Sequence, residues 1–387
     1  MTLKTLDAIF SAAVERQAMP GVVAMAATDR GVLYEGAFGR RDLTRTAPMT
    51  PDTVVWIASM TKAITAAAAM QLVERGKLAL DAPAAAVLPE LDGAKVLEGF
   101  DPAGQPRLRP PKRAMTLRQL LTHTAGYSYE IFNPAIAQFQ AATNTPGITT
   151  CSNAALCTPL LFDPGERWEY GINIDWVGKM VEAVSGQRLD RYLQQNIFGP
   201  LGMSDTSFKL SPSQRGRLAS VHQRGPDGAL APIEFEIPQD PEFLMGGGGL
   251  YGTAADYLKF AQMIMRRGTL NGTPVLRPET VDLMSQNHIG PLEVGAIKTA
   301  IPALSNDVEL FPGMPTKWGL SFVINTQPLP TGRSANSLAW AGLANTYFWI
   351  DRTKQVCGVF LSQVLPFYDA TAVDLLMKFE TEVYRAL

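Results

Sequence analysis

Cysteine is scarce in this chain: Cys151, Cys157 and Cys357 are the three present in 387 residues. No Cys-x-x-Cys occurs, so neither a zinc ribbon nor a dithiol redox motif is indicated, and the three read as free thiols in a reducing compartment. Histidine is equally sparse. His123, His222 and His288 are too scattered for a His-Glu-x-x-His or His-x-His pattern, so no metal and no cofactor are expected. Charged residues make up only 18%, with a net charge of −2. That balance carries no electrostatic footprint for nucleic acid. No run of about 18 uncharged apolar residues exists, so no membrane span is expected. The first 21 residues carry Asp7, Glu15 and Arg16 among their apolar positions. They read as an amphipathic helix and not as a signal peptide, which places the expected location in the cytoplasm. Gly-x-Ser-x-Gly is absent, which argues against an α/β-hydrolase nucleophile elbow.

What is present is apolar mass. Hydrophobic residues are 46% of the chain, enough for a large core in two domains or one elaborated domain. Helical spacing marks Leu3–Gln17, Asn173–Val184, Leu189–Ile197, Ala254–Arg266, Pro278–Ser285 and Tyr368–Ala386. A short helix at Met115–His123 has Thr116 as its cap. Strand-like runs are Val22–Thr28 and Val32–Phe38 around Asp29-Arg30-Gly31, then Trp318–Ile324, Thr346–Ile350 and Val356–Ser362. Tyr127–Pro164 has no clean period, and Leu292–Pro315 is weakly patterned. Strands therefore cluster at both ends of the chain and helices in its middle. The expected class is α+β: an antiparallel sheet flanked by helices from residues 1–85 and 240–387, and a mostly helical region from 86–239.

The stretch with the most chemical content is Trp56–Leu80. It holds Ser59-Met60-Thr61-Lys62 at the start of an alanine-rich helix that stops at Gly76. Ser and Lys three apart share a helix face. A serine hydroxyl becomes a nucleophile when a base takes its proton, and a buried amine one turn away can be that base. Helix N-terminal amides add a favourable setting for an oxyanion. Alone, Ser-x-x-Lys arises by chance roughly once in a chain of this length. Two other stretches offer partners. In Trp168-Glu169-Tyr170-Gly171, a tyrosine between a turn and a helix can project its phenol into a cleft and relay protons. In Trp340-Ala341-Gly342-Leu343, a strand with a glycine can turn a backbone N–H towards a substrate carbonyl, pairing with the N–H of Ser59. Each also has an ordinary reading, as a cap and surface charge, a buried tyrosine, and an aromatic starting a strand.

The order Ser-x-x-Lys, then tyrosine, then a strand triplet ending in glycine resembles the serine β-lactamase and penicillin-binding-protein superfamily. The likeness is greatest to its carboxylesterase branch, the family VIII esterases similar to class C β-lactamases. It extends through Leu120-Leu121-Thr122-His123-Thr124-Ala125-Gly126, Pro164-Gly165, Pro200-Leu201-Gly202-Met203 and Tyr251-Gly252-Thr253. The resemblance implies a sheet domain plus a helical domain with the site in the cleft between them. It implies Ser59 as the acylated nucleophile, Lys62 as proton acceptor, Tyr170 as partner acid and base, and the N–H groups of Ser59 and Leu343 as an oxyanion hole. Trp340-Ala341-Gly342 stands where β-lactamases have Lys-Thr-Gly. The lactamase Tyr-x-Asn pattern is also not met, because Ile172 follows Tyr170 at that spacing and Asn173 lies one residue, or about 100°, further round the helix. Both departures point to neutral, hydrophobic esters. Tyr127, Tyr129, Phe132, Phe139, Phe243 and Tyr251 are candidates for the pocket lining or for core packing. His123 is read as structural. Four glycines, Gly246–Gly249, allow either close backbone approach or a flexible turn.

The leading expectation is a serine carboxylesterase acting on a small hydrophobic ester. An acyltransferase or weak β-lactamase on the same fold are rivals, and a non-catalytic binder is the rival from another class.

Overall fold

A computed structural model describes residues 3–387. Seven strands form the principal antiparallel sheet. They are β1 (Gly21–Thr28), β2 (Gly31–Gly39), β3 (Thr316–Trp318), β4 (Val323–Asn325), β5 (Leu338–Gly342), β6 (Thr346–Asp351) and β7 (Val356–Leu361). Their spatial order is β3-β4-β5-β6-β7-β1-β2, so both ends of the sequence meet at the β7–β1 pair, registered through Val23 with Leu361. Every residue of β1 is buried, because helices cover both faces of the sheet. On one face lie α1 (Lys4–Glu15) and the C-terminal helix α5 (Ala370–Arg385), locked by Phe10 against Phe38, Phe360 and Phe379 at 5.5–6.1 Å between rings. On the other lies α4 (Ala254–Met265), with Tyr257 against Phe348 at 5.0 Å. The small side chains Ala24, Ala26 and Ala27 of β1 let helices approach closely.

Behind that layer sits α2 (Thr61–Glu74), packed on α3 (Asn173–Ser185). Its residues Thr61 to Leu72 are all buried. A helix buried all round belongs at the centre of the molecule, and the alanines at 66–69 let its neighbours in close. This is a β-lactamase-like α+β fold.

Two elements differ from the sequence reading. Trp318–Ile324 is not one strand: β3 and β4 form a hairpin whose turn is closed by Gly319 N–H to Phe322 O at 2.8 Å, with Ser321 in the left-handed region at φ 75°. The unpatterned Tyr127–Pro164 stretch contains a helix, Pro134–Thr143. The Asn133 side chain accepts from Ala135 N–H at 3.0 Å, and Pro134 occupies the first helical position. Its apolar periodicity is weak, so caps were the better signal.

Strand β5 brings the two halves of the chain together. β4 pairs only with Leu338 and Ala339, which leaves the edge of Trp340–Gly342 open on that side. The end of β5 abuts the short 3-10 turn Ala58–Met60. Gly342 has no side chain because there is no room for one: a Cβ would lie 2.3 Å from Ile57 O and from Thr346 Oγ1. Gly342→Ala is expected to lower stability by about 1–3 kcal/mol, read as a fall in Tm, because backbone on one side and a strand side chain on the other must both move. An unchanged Tm would contradict this close approach.

Candidate active site

Ser59 lies in the 3-10 turn that feeds α2, and Lys62 in the first turn of the helix itself. Ala58, immediately before the serine, has φ 45°. A residue with a Cβ in this region costs about 1–2 kcal/mol and persists where packing over-determines it. Lys62 is fully buried. Its Nζ donates to Ser59 Oγ at 3.1 Å, Tyr129 OH at 3.0 Å and Gly247 O at 2.6 Å. The Ser-x-x-Lys spacing therefore gives a direct amine–hydroxyl contact. Burial, with Asp175 next, pushes the Tyr129 phenol well above its ordinary range, so it stays protonated beside the amine.

Tyr170 stands on the other side of Lys62. The Lys62 Nζ lies 4.8 Å from its ring centroid, and its hydroxyl accepts from Trp340 Nε1 at 3.2 Å. An aromatic box holds the ring, with His123 at 4.9 Å, Trp340 at 5.0 Å and Tyr129 at 5.3 Å. His123 is fully buried and accepts from Asn173 Nδ2 at its Nδ1, 2.9 Å away. Burial, with Lys62 next, holds its pKa well below the usual imidazole range. Asn173 is thus turned to His123, as the 100° offset from a Tyr-x-Asn position requires. Among the described residues, no cluster of three or more His, Cys, Asp or Glu side chains forms a metal cage.

These groups open onto a mostly apolar cleft. Ser59, Tyr129, Tyr170, Phe132 and the whole run Trp340–Leu343 line it, and none of its lining side chains is charged. The Ser59 and Leu343 amides have no backbone carbonyl partner among the described residues, so both remain available to a carbonyl oxygen. Four aromatics proposed for the pocket lie elsewhere. Tyr127 stacks on Trp176 at 6.2 Å, and Phe139 is buried on the helix Pro134–Thr143. Phe243 lines a separate depression with Glu182 and Arg188. Tyr251 pairs with Trp56 in a short ladder and accepts from Ile237 N–H at 2.9 Å. Aromatic type alone does not distinguish packing from lining. The walls the sequence left unassigned include Trp56 and Phe367, the apolar Ile131, Ile148 and Met245, and from the weakly patterned stretch Ile297, Val308 and Leu310. The latter stretch carries only isolated backbone bridges, Ile297 with Val308 and Ser305 with Phe367, and so showed no strand period.

The glycine run has a defined task. Gly246 O accepts from Thr65 Oγ1 at 2.8 Å, Gly247 O from Lys62 Nζ, and Gly248 O from Trp56 Nε1 at 2.7 Å. Three successive carbonyls thus splint the segment that carries Ser59. Asp175, in the first turn of α3, accepts from Gly247 N–H at 2.8 Å.

A profile of the β-lactamase family matches residues 6–378. Monacolin J acid methylbutanoyltransferase of Aspergillus terreus is 34% identical, with 98% of this chain and 95% of that protein covered. Lovastatin esterase of Penicillium rubens is 33% identical, with 98% of each covered. The solved structure of unliganded simvastatin synthase from Aspergillus terreus (selenomethionyl derivative) superposes with a TM-score of 0.88 at 32% identity, covering 100% of this chain and 98% of that one. With the serine–lysine contact in a cleft of this fold and such relatives along its length, the chain belongs to the β-lactamase family, among its serine hydrolases and acyltransferases.

Proposed function

We propose that this chain transfers acyl groups from neutral, hydrophobic esters through an acyl-enzyme on Ser59, with an apolar alcohol or water as acceptor. The observation that carries the reading is the Lys62 amine hydrogen-bonded to Ser59 Oγ at the edge of a cavity without charged lining. Ser59 Oγ attacks the ester carbonyl while its proton passes to Lys62. The Ser59 and Leu343 amides hold the oxyanion. As the tetrahedral adduct collapses, the ester C–O bond breaks. The leaving alkoxide takes a proton from Tyr170, which recovers one from Lys62. A second alcohol, or water, then attacks the acyl-enzyme by the same route in reverse.

Carboxylesterase and acyltransferase are two fates of that one intermediate. Aliphatic walls retain an apolar alcohol and disfavour a reactive water, which supports transfer. The two relatives named as a transferase and an esterase are equally similar to this chain, which fits a single intermediate with either outcome. β-Lactam turnover is the minor activity. Trp340 stands where a cation would meet the lactam carboxylate, and its indole N–H is already engaged by Tyr170. A small-molecule ester is the only partner this reading requires, and it needs no cofactor.

Ser59→Ala should lower p-nitrophenyl butyrate hydrolysis by at least about 10³-fold, as expected for loss of a nucleophile whose partners act as a unit. Wild-type turnover by this variant would remove the mechanism. Adding 1-butanol should divert acyl groups from free acid to butyl ester, measured by gas chromatography; strictly hydrolytic products would reject the transferase outcome. Val308→Trp, which narrows the aliphatic wall, should reduce the octanoate-to-acetate rate ratio on p-nitrophenyl esters by about tenfold or more. An unchanged ratio would show that the acyl chain lies elsewhere.

A further inference from the structure

Asp175 is buried to 0% exposure, yet it neither lines the cavity nor forms a salt bridge. Of its two oxygens, Oδ1 accepts from Gly247 N–H and Oδ2 is buried without a partner. A carboxylate kept in this state costs stability, so its retention calls for a reason beyond packing. Gly247 supplies one. A Cβ at this residue would sit 2.7 Å from Asp175 Oδ2, so only glycine lets the carboxylate close on the backbone. The carbonyl of the same residue takes a proton of Lys62.

Hydrogen counting at Lys62 shows what this contact does. An ammonium has three N–H donors and no acceptor; a neutral amine has two N–H donors and one lone pair. Ser59 Oγ and Tyr129 OH can each donate or accept. Gly247 O can only accept, so one amine hydrogen is always committed to it. Of the remaining two directions, the neutral amine must present its lone pair to Ser59 or to Tyr129. The carbonyl thereby removes one of the two orientations in which the lone pair is turned away from Ser59. We propose that Asp175 is a positioning residue for acyl-enzyme formation: its carboxylate clamps Gly247 so that the Gly247 carbonyl orients Lys62 as the base for Ser59. This rests on the acyl-transfer reading given above.

The groups that face Asp175 are Lys62 on α2, Tyr129 and Glu130 on the stretch after Gly126, and Cys151. Burial raises the Asp175 pKa to about 6, with Lys62 opposing the rise. The raised pKa means that ionisation of Asp175 opposes folding as pH rises towards about 6, so the charge is held against a stability cost. The clamp is charge-assisted only above that pH.

The test is the pH dependence of kcat and KM for Asp175→Asn and Asp175→Ala on p-nitrophenyl butyrate, with Ser59→Ala alongside. The amide is isosteric and still offers an oxygen to Gly247, but without charge. At pH 8 it should lower kcat by about tenfold, with KM within about twofold, because a charge-assisted hydrogen bond is roughly twice as strong as a neutral one. Alanine leaves the Gly247 N–H unpaired, so the loss should be larger. The ratio of wild-type to Asn-variant kcat should fall towards one at pH 5, where the wild-type carboxyl is also neutral. Division by the wild-type profile cancels the ionisations that the substitution leaves unchanged. A purely structural aspartate would give a ratio independent of pH. If the alanine variant does not fold, the Asn ratio alone decides. A pH-independent ratio, unchanged kcat, or an effect confined to KM would overturn the proposal while leaving the acyl-transfer reading intact; an active Ser59→Ala would overturn that reading itself.

Discussion

A lysine amine with no access to solvent must find all its partners inside the protein. Lys62 does so with three oxygens from three parts of the chain: Ser59 one turn before it, Tyr129 in the middle of the sequence, and Gly247 in the glycine run. That single requirement explains much of the surrounding architecture. Helix α2 is buried all round, so its polar residues must be answered by backbone. Successive carbonyls of Gly246 and Gly247 answer its Thr65 and Lys62, and that of Gly248 answers Trp56 just before it. At Gly247 a side chain would collide with Asp175, its Cβ 2.7 Å from Oδ2. The left-handed Ala58 and the side-chain-free Gly342 bring the serine turn and the end of β5 into contact, which sets two free amides beside one hydroxyl.

The sequence revealed the parts of this arrangement that are local. Ser59 and Lys62 are one helical turn apart, so their spacing alone implied contact. The hairpin at Asp29–Gly31, the C-terminal helix and the β6–β7 pair followed from period and turn chemistry. Tyr170 and Trp340 were reached through the order of motifs, and they meet through one hydrogen bond. What escaped was set by tertiary contact. Tyr129 was one aromatic among several, and only the fold shows that its phenol meets Lys62 while Tyr127, two residues earlier, stacks on Trp176. Asp175 sat unremarked on a helix face because its partner is a backbone N–H, which leaves no pattern in side-chain types. The aliphatic wall at Ile297, Val308 and Leu310 belongs to an irregular stretch held largely by main-chain bonds, where periodicity has nothing to report.

The proposed preference for esters rests on the walls of the cavity. The serine, lysine and free amides suit any acyl transfer, so discrimination falls to the walls. Here they are aliphatic and aromatic, and the position that would bring an ammonium to an anionic substrate carries Trp340. Its indole instead steadies Tyr170. In the proposed mechanism Trp340 thus stands in place of a substrate-binding cation and braces the tyrosine proposed to relay protons, and both effects favour neutral substrates.

The central claim is that Ser59 becomes acylated. Rapid-quench reaction with p-nitrophenyl butyrate, followed by digestion and peptide mass spectrometry, tests it most directly. A butyryl mass increment on the peptide containing Ser59, formed within the first turnover and lost as product appears, is the predicted result. An increment on another residue, or turnover with no covalent intermediate at any quench time, would contradict the account.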